Sequence, residues 1–237
     1  MTTLLLLPGL DGTGLVFEPL VTHLPAEIET HLVRYPADRL MSLQEHVAFA
    51  KKQCPKKKPF VLLAESFSGP IALQLLADPP ENLIGVIFVA TFAHYPSPFL
   101  LDAGRMLPQG LLLKLFTTTL FSRFFCLGKA SADAVKLFRK ALKSVQLNVL
   151  SQRLKILAEL PPPPEITFSG PCLYIQASND RLVSSRAVAP LQRHLPQLQV
   201  EKIHGPHIIL LAEAQRGARL ISDFIASLTN HRKQASS

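Results

Sequence analysis

Six short apolar runs recur along the chain with helical patterns between them, and this alternation limits the possible folds more than any other feature. The runs are Thr3–Leu7, His31–Tyr35, Phe60–Ala64, Leu83–Ala90, Cys172–Ala177 and Leu198–Ile203. Apolar residues at helical spacing fall in Phe17–Leu24, Leu43–Cys54, Gly69–Ala77, Ser185–His194 and Ile208–Leu228. Strands that are apolar on both faces must be covered on both faces. The pattern therefore predicts an α/β fold with a mostly parallel six-stranded sheet flanked by helices. Ligands in such sheets bind beyond the carboxyl ends of the strands, so the loops that follow the strands are where function is sought.

One interval breaks the alternation. Between Ser97 and about Leu160 there is no strand pattern, only the helical stretches Leu107–Phe116, Leu120–Phe125, Ala130–Lys143 and Val145–Leu157. Pro161 to Pro164 then form a stiff, extended connector. Residues 97–160 are predicted to be a helical cap, inserted after the fourth strand into a core built from 1–96 and 161–237. A chain of 237 residues accommodates one such domain with one insertion.

The three cysteines, Cys54, Cys126 and Cys172, are odd in number and lack metal-like spacing, which suits a reducing compartment. Leu4 to Leu7 are too few, and are preceded by no Lys or Arg, to read as a signal peptide. No run reaches the roughly 18 apolar residues of a membrane span. A cytoplasmic protein without a membrane span is expected.

Three polar residues follow three different strands: Ser66 after the third, Asp180 after the fifth and His207 after the sixth. A Ser hydroxyl becomes a competent nucleophile when a His accepts its proton, and that His needs a carboxylate to hold its tautomer. The chain order Ser, Asp, His is the one expected when the nucleophile sits on a strand-to-helix elbow. Such an elbow demands small neighbours two residues away, and Ala64 and Ser68 supply them. Each residue also has a plainer role open to it. Ser66 and Asp180 suit turns and caps, His207 can cap the apolar helix it opens, and Ser68 offers a second hydroxyl.

With these residues quoted, the chain resembles the α/β-hydrolase superfamily over nearly its whole length. Within it, the chain resembles the capped esterases that act on pimeloyl-acyl carrier protein methyl ester. The resemblance is carried by Pro8-Gly9-Leu10-Asp11-Gly12-Thr13-Gly14, Glu65-Ser66-Phe67-Ser68-Gly69, Asn179-Asp180-Arg181-Leu182-Val183 and Gly205-Pro206-His207. It implies catalytic roles for Ser66, Asp180 and His207, and an oxyanion hole made by the backbone N–H groups of Leu10 and Phe67. The elbow reads Ala-x-Ser-x-Ser where the superfamily commonly has Gly-x-Ser-x-Gly, and the first loop has Pro-Gly where many relatives have His-Gly.

The glycine-rich loop after the first strand lacks the Lys-Ser/Thr of a phosphate-binding loop and the third glycine of a dinucleotide site. No metal or organic cofactor is expected. The formal charge of +8 is concentrated in residues 97–160, where ten basic residues stand against three acidic ones and account for +7. Lys136, Arg139, Lys140 and Lys143 fall at i, i+3, i+4 and i+7, on one helix face. That face is either solvated or a docking surface for an acidic partner such as acyl carrier protein. No aromatic platform accompanies it, so nucleic acid is not expected.

The function expected is serine carboxylic-ester hydrolysis through an acyl-enzyme, on a small-molecule or carrier-bound aliphatic acyl ester. Leu107, Leu111, Leu112, Leu115, Phe116, Phe121, Phe124 and Phe125 are expected to make the inner side of the cap apolar. An acyltransferase with an alcohol or thiol acceptor would use the same residues, and a non-catalytic binding member of the fold is a third possibility. A hydrolase would show kcat/KM rising with pH through an ordinary histidine ionisation, about 6.5.

Overall fold

The computed structural model describes residues 2–94 and 118–235, with side chains to residue 229. The chain adopts the α/β-hydrolase fold. Six strands, β1 (Thr2–Leu7), β2 (Ile28–Leu32), β3 (Phe60–Glu65), β4 (Leu83–Val89), β5 (Cys172–Ala177) and β6 (Leu198–Ile203), form one sheet in the order β2-β1-β3-β4-β5-β6. All five pairings are parallel. The helices are α1 (Glu18–His23), α2 (Leu43–Gln53), α3 (Ser68–Leu75), α4 (Ala132–Lys143), α5 (Leu147–Ala158), α6 (Val188–His194) and α7 (Ala214–Ala235), with shorter turns between them.

The alternation of side chains along each strand divides the core in two. Leu5, Leu7, Leu62, Ala64, Val86, Phe88 and Tyr174 face the side covered by α2, α3 and α6. Leu4, Leu6, Val61, Leu63, Ile87, Val89 and Ile175 face the side covered by α1 and α7. A fully buried Leu or Phe contributes about 1.5–3 kcal/mol relative to exposure, so these two layers dominate the stability. A third cluster joins the segment 118–158 to the core. Cys126, Leu127, Phe138, Leu142, Val149 and Leu150 pack with Val16, Ile208 and Leu211. The basis of α4 is its periodicity: Ala134, Val135, Phe138, Ala141 and Leu142 are buried on one face, and Ser131 caps its first turn.

Two elements differ from the sequence expectation. The second strand is Ile28–Leu32, not His31–Tyr35. It is an edge strand, half-exposed and therefore weakly apolar, while the apolar Val33 and Tyr35 lie in the loop beyond it and turn into the core. The expected last helix breaks at Glu213 (φ −129°, ψ 47°), which separates the turn Ile209–Ala212 from α7. The expected cap helix Leu107–Phe116 lies outside the described residues. Among the described residues no helix is long and apolar enough to cross a membrane.

Candidate active site

The apolar strand β3 ends at Ser66, whose backbone is forced to φ 48°, a left-handed conformation that costs a non-glycine residue energy. The surroundings hold it there. The Ser66 N–H donates to the Val89 carbonyl (2.9 Å), while the Ser66 carbonyl accepts from the Gly69 N–H (3.1 Å) and the Thr91 hydroxyl (2.5 Å). Gly69 has to lack a side chain, since a Cβ there would stand 1.9 Å from the Thr91 Oγ1. The strain lifts the Ser66 hydroxyl toward the carboxyl edge of the sheet.

His207 and Asp180 meet it there. Ser66 Oγ lies 2.9 Å from His207 Nε2, and His207 Nδ1 lies 2.7 Å from Asp180 Oδ2. The second carboxylate oxygen, Oδ1, accepts from the backbone N–H groups of Leu182 and Val183, each at 2.8 Å, so the loop after β5 aims the carboxylate. Burial by itself would hold the imidazole neutral. The charge and hydrogen bond of Asp180 outweigh it and raise the His207 pKa above its ordinary value. The three residues singled out in the sequence are thus brought together in one hydrogen-bonded chain.

The N–H groups of Leu10 and Phe67 donate to no protein acceptor among the described residues. Phe67 begins the turn into α3, and Leu10 lines the same cavity as Ser66 and His207. Ser68 is fully buried: its hydroxyl donates to the Pro8 carbonyl (2.5 Å) and lies 3.0 Å from the Tyr35 hydroxyl. It ties the elbow to the loop after β1.

Two charged residues in this site escaped the sequence reading. Glu65, beside the nucleophile position, is fully buried, and neither carboxyl oxygen has a hydrogen-bond partner among the described residues. Burial raises its pKa to about 8, despite the opposing pull of His207. Arg153, counted above among the basic residues of the segment 97–160, is 1% exposed. It projects from α5 and donates to the carbonyls of Leu10 (3.0 Å), Asp11 (2.7 Å) and Pro36 (3.0 Å). A signal for it was present: Arg153 shares a helical stripe with Val149, Leu150, Ile156 and Leu157, all buried. A cation on an apolar stripe needs a polar destination.

The cavity above Ser66 encloses about 90 Å³. Gly9, Leu10, Asp11, Phe92, Leu182, Val183 and Ile208 line it from the core, and Cys126, Phe138, Leu142, Leu154 and Leu157 from above. The apolar lining is thus shared between the core loops and the upper wall, where α4 and α5 supply Phe138, Leu142, Leu154 and Leu157. Phe124, expected on the inner side, is 55% exposed, with the Arg181 guanidinium 4.0 Å over its ring. Leu107, Leu111, Leu112, Leu115 and Phe116 lie outside the described residues. Lys136, Lys140 and Lys143 are exposed along one face of α4, with Arg139 half-buried among them and donating to the Thr119 hydroxyl (2.9 Å). With Arg123 they border an open groove of about 560 Å³. Among the described residues no cluster of three His, Cys, Asp or Glu side chains could hold a metal ion.

No protein-family model matches the chain. In sequence it is 28% identical over 243 residues to the biotin biosynthesis bifunctional protein BioHC of Cellvibrio japonicus, a match that covers 93% of this chain and 45% of that protein. The chain therefore spans about half the length of this curated relative. In structure it is similar to an esterase from Thermogutta terrifontis (TM-score 0.76, 16% identity, 96% of this chain and 90% of that one). It is also similar to the esterase EaEST of Exiguobacterium antarcticum (TM-score 0.76, 14% identity, 95% and 92%). A lipase-esterase related protein of Clostridium acetobutylicum matches with a TM-score of 0.72 at 15% identity, over 94% of each chain. At these identities the likeness is one of fold.

Proposed function

We propose that this chain is a serine carboxylic-ester hydrolase. The observation that carries the reading is the chain Ser66 Oγ···His207 Nε2···Asp180 Oδ2, at 2.9 and 2.7 Å, on a strained elbow beneath an apolar cavity. In this reading Ser66 Oγ attacks the ester carbonyl carbon while His207 Nε2 takes its proton. Asp180 keeps Nδ1 protonated and stabilises the imidazolium. The oxygen that gains charge is met by the N–H groups of Leu10 and Phe67, a pair of donors of the kind whose single loss costs roughly 10²–10³ in kcat. His207 then protonates the leaving alcohol, and the acyl-enzyme is cleaved by a water that the same nitrogen deprotonates, releasing the acid.

The mostly apolar lining favours an aliphatic acyl group. A carrier-protein-bound methyl ester, such as pimeloyl-acyl carrier protein methyl ester, is the substrate we favour. The relative's role in biotin biosynthesis and the exposed basic face of α4 support it. That face would meet the acidic carrier while the acyl chain reaches Ser66.

The test is hydrolysis of p-nitrophenyl esters of graded acyl length beside a carrier-bound methyl ester. Wild type is expected to turn over both classes, and Ser66→Ala to lose roughly 10³-fold or more in kcat while keeping its fold. Product analysis with added alcohol separates hydrolysis from acyl transfer. Absence of ester turnover by wild type would overturn the reading.

A further inference from the structure

The loop after β1 is held carbonyl by carbonyl. Pro8 O accepts from the Ser68 hydroxyl, Gly9 O from the Gly12 N–H (3.0 Å) and Gly12 O from the Tyr35 N–H (2.8 Å). The two between them, Leu10 O and Asp11 O, accept from one guanidinium nitrogen of Arg153 at 3.0 and 2.7 Å. Of these donors Ser68 opens α3, the Gly12 and Tyr35 N–H groups belong to the loops, and Arg153 alone comes from α5. The contact is close enough that a Cβ on Gly12, itself at φ 70°, would stand 2.4 Å from that nitrogen. The other terminal nitrogen bonds Pro36 O, and the guanidinium lies 5.8 Å from the centre of the Tyr35 ring.

Burying a guanidinium is costly unless its hydrogens are met and its charge is offset by opposite charge or aligned dipoles. Here carbonyl dipoles meet most of them, and Nε remains without a partner among the described residues. What the bonds do is fix the two peptide planes that follow Leu10. The Leu10 N–H belongs to the peptide whose carbonyl, Gly9 O, closes the turn onto Gly12. Releasing Leu10 O and Asp11 O would let that turn, and the N–H with it, rotate.

We propose that Arg153 is a positioning residue of the oxyanion hole: α5 delivers its guanidinium to the Leu10 and Asp11 carbonyls, and this holds the Leu10 N–H in place beside the cavity that Leu10 and Ser66 both line. The inference rests on the hydrolase reading above. It makes α5 part of the reaction apparatus as well as part of the covering over the cavity. Arg153 acts on the transition state through the loop, without touching the substrate.

The experiment compares wild type, Arg153→Lys and Arg153→Met on a p-nitrophenyl ester, with circular dichroism and melting curves alongside. Met keeps the length and loses every donor. Lys keeps the charge but cannot span three carbonyls. Expected is a fall in kcat of roughly 10²-fold for Met and about 10-fold for Lys, with KM within about threefold of wild type. A trifluoromethyl ketone, which forms a hemiketal oxyanion on a serine, should lose affinity by the same factor as kcat/KM. An unreactive ether analogue of the ester should bind all three proteins alike, which a general disturbance of the cavity would not allow. Should Met fail to fold, Lys carries the test. Unchanged kcat in a folded Lys variant, equal losses for ketone and ether, or failure of both variants to fold would each overturn the proposal. Wild type without ester turnover would instead sink the hydrolase reading, so the two failures are distinguishable.

Discussion

Glu65 stands next to Ser66 with both carboxyl oxygens buried and unpartnered among the described residues, so folding favours its neutral form. Its pKa of about 8 lies above the ordinary 4.5, so between these values the native state holds a proton that the unfolded chain has released. Stability from this group is fully present below pH 4.5 and falls as pH rises through 8. His46, lowered by burial to about 4, works in the opposite sense below its ordinary 6.5. The comparison with Glu65→Gln therefore carries the prediction: urea melts at pH 5, 6.5 and 8 should show the variant gaining on wild type as pH rises. Parallel curves would mean Glu65 is ionised in the native state. His207 yields a second expectation. Its raised pKa moves the half-maximum of the acid limb of kcat/KM above the 6.5 expected from the sequence. A midpoint at or below 6.5 would say that Asp180 does not govern the imidazole.

Among the elements, β1, β3, β4 and β5 were legible because each is apolar on both faces and bounded by turn residues, and β6, at one edge, was legible from Leu198, Val200 and Ile203 although polar residues stand between them. The edge strand β2 was not: one side of its ladder is open, so its sequence, Ile28-Glu29-Thr30-His31-Leu32, carries no continuous apolar run. The break at Glu213 was hidden because the apolar spacing continues on both sides of it. Ser66, Asp180 and His207 were legible since reactive side chains at strand ends stand out against apolar flanks. Arg153 and Glu65 were not, because charge was read as exposure, whereas α5 and β3 carry theirs inward. On α4 the outward charges call for their own test. Reversing Lys136 and Lys140 to Glu should lower kcat/KM for a carrier-bound ester by roughly five- to tenfold at low salt. The loss should shrink as salt shortens the Debye length below its roughly 8 Å at physiological strength. Turnover of a p-nitrophenyl ester should not change. Equal losses on both substrates would indicate disturbed packing of α4, and no loss on either would leave the stripe a solvated face.

Taken together, the sheet, the loops at its carboxyl edge and the helices above them converge on one small apolar cavity with one hydroxyl at its floor. The sheet supplies Ser66, Asp180 and His207 from three strand ends, and α4 and α5 supply most of the greasy upper wall. α5 also reaches past that wall to hold the loop after β1. The proposed chemistry depends on Ser66 being the group that reacts. Treating the folded protein with a fluorophosphonate and mapping the modified peptide by mass spectrometry reads this out. One label per chain is expected, on Ser66, formed quickly in wild type and lost or greatly slowed in His207→Ala. A label on Ser68 instead, or an unlabelled but folded wild type, would contradict it.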